Sequence, residues 1–179
     1  MTIRKTTRRT TLKSFRLSQG QLRRILDLLA ADPTLTDLYD LVMIVSNTGI
    51  RSGELRGLQW ADVDLQGCKL TVTDKKSART RTVPLESQTL QVLQSRRERQ
   101  PDAAYVLGES PLGLLRRLSV ELRTVCDRLG VCGISLHVLR HTFIKQLVDA
   151  NVNGVLLKNL MGHSSIKTTQ RRFKLTKPR

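Results

Sequence analysis

One short stretch, residues 68–85, departs from the rhythm of everything around it. Cys68, Leu70 and Val72 alternate with Lys69, Thr71 and Thr73, a period of two that predicts a strand half-buried on one face. Residues 75–79 are polar and turn-like, and the run Thr80, Arg81, Thr82, Val83, Pro84, Leu85 supplies a hairpin partner, with Pro84 closing the ladder. A single hairpin cannot bury a core by itself. The helical segments on either side must build around it.

Those segments are plain in the spacing of apolar residues. Ser18 opens a capping box ahead of Leu22, Ile25, Leu26 and Leu29, and Asp32-Pro33 ends that helix. Thr36 is expected to cap a strongly apolar second helix carrying Leu38, Leu41, Val42, Ile44 and Val45, which stops at Thr48-Gly49. A short turn of helix follows over 51–58. Further helices are predicted at about 86–99, 111–129, from Ser135 through Asp149, and from Asn153 to Met161. The expected architecture is α+β, mainly α-helical, with a small sheet. A basic arm over 1–16, one domain over 17–176 and a basic tail end at 177–179 is the predicted organisation.

Charge narrows the function. The 179 residues carry 31 Lys and Arg against 15 Asp and Glu, a formal charge of +16, which points to a polyanionic partner. Residues 1–26 hold eight basic side chains and no acid, and no carboxylate side chain follows Asp149. Aromatic residues make up only 3% of the chain, too few for a stacking platform of the single-strand type, so contact with the backbone of a double-stranded nucleic acid is favoured. The three cysteines, Cys68, Cys126 and Cys132, lack metal-ligand spacing and are expected to be reduced thiols. With no apolar run long enough for a span, a soluble, cytoplasmic protein without membrane contact is expected.

All three histidines fall in two short segments. His137, Arg140 and His141 share one helical face at i, i+3 and i+4, a combination suited to an oxyanion. A zinc helix of the metalloprotease kind would need Glu where Val138 stands, and no third ligand is offered, so no metal and no cofactor are expected. Arg51 and Glu54 admit two readings. They are a surface i, i+3 pair, or Glu54 orients Arg51 toward a ligand. Lys76, in the hairpin turn, is solvent-facing or a proton donor to a leaving alkoxide.

Taken together, TGIRSGELRGLQWADVD, the Lys-led hairpin ending in RTVPL, HVLRHTF and LMGHSSIKTT occur in the order found in tyrosine recombinases, or phage integrases. The chain resembles the catalytic domain of that family from about Leu17 to Thr176. The resemblance implies a fold with a three-stranded antiparallel sheet and a metal-free reaction, DNA strand transfer through a 3′-phosphotyrosyl link. It casts Arg51 and Arg140 as the grip on the scissile phosphate, His137 and His163 as hydrogen-bond donors to it, and Lys76 as general acid, with Lys75 the fallback in register. Glu54 and His141 become supporting residues. Lys75, Arg79, Arg81, Lys167 and Arg171 are expected DNA contacts.

The family nucleophile is a tyrosine nine positions after the histidine of GHSS. Nine past His163 stands Arg172, and Phe173 follows; the chain's tyrosines are Tyr39 and Tyr105, both outside the motif. Arginine stays protonated and cannot attack phosphorus. The expectation is a DNA-binding, cleavage-dead catalytic domain. It would be monomeric when free and dimeric to tetrameric on DNA, and a fragment or minimal form, since only the basic segment stands where the family usually carries a core-binding domain. A non-catalytic DNA-binding regulator on the same fold is the alternative, and a topoisomerase-like nicking enzyme a weaker one. A nucleophile supplied in trans stays open, although an identical partner would lack it too.

Overall fold

A computed structural model describes residues 17–74 and 79–162. Helix α1 (Gln19–Ala31) begins at the expected capping box: the Gln21 N–H donates to Ser18 Oγ at 3.1 Å and the Ser18 N–H to Gln21 Oε1 at 2.9 Å. Leu22, Ile25 and Leu29 form its buried stripe. Asp32 then accepts the Thr34 N–H and hydroxyl, starting a 3-10 turn over Pro33–Leu35 that runs straight into α2 (Thr36–Thr48). Thr36 is therefore not the cap the sequence suggests. It is the first helical residue, its hydroxyl donating to the Pro33 carbonyl at 2.7 Å, and the preceding turn supplies the entry geometry.

Helix α2 is buried on nearly every side, from Leu38 through Ser46, as a helix surrounded by others must be. It packs against α1, α4 (Ser87–Arg99), α5 (Pro111–Arg128) and α6 (Leu136–Asp149). Gly49, at φ 60°, ends it in the left-handed conformation that glycine adopts without steric cost. The short α3 (Ser52–Arg56) follows, then a 3-10 turn at Trp60–Asp62.

The sheet is three-stranded and antiparallel in the order β1-β2-β3: β1 (Val63–Asp64), β2 (Lys69–Asp74) and β3 (Arg79–Pro84). Leu70, Val72 and Val83 turn inward. Two-residue β1 pairs Val63 with Leu70 and Asp64 with Lys69, too little for alternation to register in the sequence. Cys68 departs from its expected place on the inner face. It is exposed at φ 51°, in the turn that Asp64 closes by accepting the Gly67 N–H at 2.7 Å. A left-handed residue at that point sends the chain back before β2 starts.

Helix α7 (Gly154–Met161) closes the described part, capped by Asn153 and ended by Gly162 at φ 62°. One charged cluster lies inside the core. The Arg96 side chain, 1% exposed, donates from Nε to the Val106 carbonyl at 2.6 Å and from Nη1 to Asp37 and Asp40 at 2.8 and 3.0 Å. Arg99 pairs with Asp40 and Arg117 with Asp37, so α2, α4 and α5 are tied by ions as well as by packing.

Candidate phosphate-binding site

The site gathers where α3, β3, α6 and the end of α7 meet. Arg51 precedes the first turn of α3, and Glu54, one turn on, curls back to it: the carboxylate accepts the Arg51 N–H at 2.7 Å and Arg51 Nη1 at 2.6 Å. The two sequence readings of this pair are thus separated by burial. Glu54 is 5% exposed and Arg51 34%, so the carboxylate is a buried bracket and the guanidinium faces outward.

Arg81 completes the bracket from β3. Its Nη1 and Nη2 donate to Glu54 Oε1 and Oε2, each at 2.8 Å, in the parallel fork geometry that makes arginine–carboxylate pairs strong. Burial alone would raise the Glu54 pKa. The Arg81 fork and the Arg51 N–H outweigh it and hold the carboxyl down at about 2.

Arg140 comes from the second turn of α6 and is 6% exposed. Its Nη1 donates to the Gly49 carbonyl and its Nη2 to the Met161 carbonyl, the latter at 3.0 Å. Arg51 Nη2 meets the next carbonyl, that of Gly162, at 3.4 Å. The two guanidinia therefore converge on one left-handed turn, the residue immediately before His163. At its first turn α6 presents His137, exposed, with Nε2 2.8 Å from His141 Nε2 and the rings edge to face at 4.3 Å.

Two guanidinia at one turn, an imidazole on the same helix as one of them, and a buried carboxylate fixing the other are groups whose chemistry suits a tetrahedral oxyanion. The model of the phage integrase family matches residues 16–177. The chain belongs to the phage integrase family. Among its relatives, a putative integrase/recombinase (y4rF) of Sinorhizobium fredii is 30% identical over 166 residues, covering 86% of this chain and 39% of that protein. The integrase of Haemophilus phage HP1 is 34% identical over 135 residues, 75% of this chain and 36% of its own. The XerA tyrosine recombinase of Thermococcus onnurineus is 28% identical over 166 residues, 89% and 58%.

Solved integrase-family structures share the fold. A crystal structure of XerA recombinase superposes with a TM-score of 0.75 at 25% identity, covering 90% of this chain and 60% of that one. The catalytic domain of bacteriophage HP1 integrase gives 0.65 at 25%, covering 89% and 86%. The integrase of transposon Tn1549, in complex with circular intermediate DNA, gives 0.78 at 20%, covering 94% and 64%. The chain spans about two fifths to three fifths of the length of the curated integrases and recombinases it matches.

Of the residues expected at an integrase site, Arg51, with Glu54 bound to it, and Arg140 meet at the Met161–Gly162 turn, while His137 and His141 contact each other on the helix that carries Arg140. Arg79 is exposed at the start of β3. Arg81, expected as a DNA contact, has a side chain 8% exposed whose fork lies on Glu54. The sequence carried a signal for this, since Arg81 lies two residues before Val83 and so shares its inward face. Lys75, Lys76, His163, Lys167, Arg171 and Arg172 lie outside the described residues. Tyr39 is partly buried against the core on α2, and Tyr105 sits in a loop bridged to Gln59. Among the described residues no group of three His, Cys, Asp or Glu could hold a metal ion, and no helix is long and apolar enough to cross a membrane.

Proposed function

We propose that this chain is an integrase catalytic domain that binds duplex DNA by its phosphates and, with Arg172 in the place of the nucleophile, forms no covalent adduct. The observation that carries the reading is the convergence of Arg51 and Arg140 on the Gly162 turn. In this reading both guanidinia leave their backbone carbonyls for the nonbridging oxygens of a scissile phosphate, where their charge offsets that of the five-coordinate phosphorus. His137 and His163 donate hydrogen bonds to the same oxygens, His141 supports His137, and Lys76, or Lys75, protonates the leaving 5′ oxygen. Lys75, Arg79, Lys167 and Arg171 contact the backbone of the duplex. The DNA named with the Tn1549 integrase structure supports the assignment of duplex DNA as partner.

A pool of nicked suicide duplexes with randomised sequence, incubated with the chain and run on a denaturing gel, tests this directly. The expected result is duplex binding by filter retention and no covalent band, with a band gained on Arg172→Tyr. A covalent band from the chain as it stands would overturn the reading.

The arginine at 172 also favours a second reading, a DNA-binding regulator that reuses the fold. Under it, Arg51→Ala and Arg140→Ala weaken duplex binding no more than Arg79→Ala does, each removing about one phosphate contact from the salt dependence.

A further inference from the structure

Glu54 has room for four hydrogen bonds, and all four are made: two to Arg81, one to Arg51 Nη1 and one to the Arg51 N–H. No face of this carboxylate is left for a ligand. Its place in the site is to hold something else.

What it holds depends on how many cations share it. With Arg81 present, two guanidinia surround one carboxylate, the cluster is net positive, and the outward Arg51 keeps charge for an anion. Without Arg81, Arg51 and Glu54 would form a neutral pair, and an incoming phosphate would have to compete with a buried carboxylate 2.6 Å from Arg51. Among the described residues, the buried Arg81 Nε also finds no hydrogen-bond partner. An unpaired buried donor costs about 1–3 kcal/mol, so this placement is not the one stability alone selects. A Cβ on Gly162 would lie 3.1 Å from Arg81 Nη1 and 3.3 Å from Arg51 Nη1, so both guanidinia press on the turn that leads to His163.

We propose that Arg81 is a positioning residue of the phosphate site: it occupies Glu54 so that Arg51 keeps its charge for phosphate, and by the same fork it ties the β2–β3 hairpin to α3. This rests on the phosphate-binding role given to Arg51 above. Arg81 touches no substrate. It acts through Glu54.

The test follows the Arg51 side-chain Nε–H resonance of the full chain during titration with inorganic phosphate, in the parent, Arg81→Gln, Arg81→Lys and the double variant Arg81→Gln/Glu54→Gln. Phosphate affinity should fall about tenfold or more in Arg81→Gln and less in Arg81→Lys, which keeps the charge and loses the fork. The double variant should recover affinity over Arg81→Gln, because the carboxylate that captures Arg51 is gone. A purely structural role predicts the reverse, a double variant equal to or worse than the single. Equal phosphate response in parent and Arg81→Gln, or no recovery in the double variant, would sink the proposal alone. A parent whose Arg51 signal ignores phosphate would remove the phosphate site itself and this proposal with it. Should Arg81→Gln lose its folded amide spectrum, Arg81→Lys with and without Glu54→Gln carries the same comparison, with the same recovery expected.

Discussion

Arg51 and Arg140 reach neighbouring carbonyls of one turn, those of Gly162 and Met161. Neither carbonyl belongs to a strand or to the interior of a helix. Both are acceptors that any helix leaves unsatisfied at its C-terminus, here of α7, so the two arginines cap that helix end. Under the proposed function, a bound phosphate would exchange these carbonyls for anionic oxygens and so link the α7 end to occupancy of the site.

The tightness of that turn gives the first prediction. Gly162→Ala forces a side chain into a left-handed residue and against two guanidinia, and should cost about 1–2 kcal/mol in urea unfolding, together with weaker duplex binding. Gly53→Ala is the control. A Cβ there meets nothing within 4 Å in a helical residue, so its stability should hold or rise slightly.

Arg96 is the charge on which the core relies. Replacing it with methionine leaves Asp40, itself 3% exposed, without its buried partner. A loss of about 3–5 kcal/mol is expected in urea unfolding. A loss below about 1 kcal/mol would mean that Arg99 alone carries Asp40.

Glu54 predicts an acid limb. Its carboxyl is held at about 2 against an ordinary 4.5, so its contribution is complete above pH 4.5 and is lost as pH falls toward 2. With solvent screening at the open side of the cluster allowed for, this is on the order of 2 kcal/mol. The stability difference between the parent and Glu54→Gln should therefore shrink over that window, measured by urea midpoints at successive pH values.

The thiols predict a labelling pattern. Cys126 is fully buried, and burial together with the nearby Asp127 charge pushes its pKa up to about 11, whereas Cys68 and Cys132 are exposed. Iodoacetamide at pH 8 should add two groups to the native chain by intact mass, and the third only in denaturant.

Much of this could be read along the chain, where physics is local. The Ser18 box, the Gly49 stop, the amphipathic stripe of α5 and the i, i+4 meeting of His137 and His141 depend on neighbours in sequence. Cys68 was expected in the strand because period alone cannot say where alternation begins, and the Asp64–Gly67 turn decides it. The fate of charge was less legible. Arg96 looks like any helical surface arginine until α2 brings Asp37 and Asp40 beside it. Arg81 was half-visible, since its inward parity was in the sequence while the Glu54 that receives it lies 27 residues earlier. The carbonyl partners of Arg140 are backbone atoms of two distant turns, which no side-chain pattern announces.

The ladder from Lys69↔Pro84 to Asp74↔Arg79 is unbroken and is pinned by Leu70, Val72 and Val83 on the inner face. The hairpin therefore tolerates change unequally along its length. Extra residues between 74 and 79 fall outside the paired rungs. One residue inserted between Arg81 and Val83 would reverse the parity of everything before it, turning the guanidinium toward water and releasing Glu54. Insertions within β3 are therefore expected to loosen the Arg81–Glu54 fork, while insertions between 74 and 79 leave it intact.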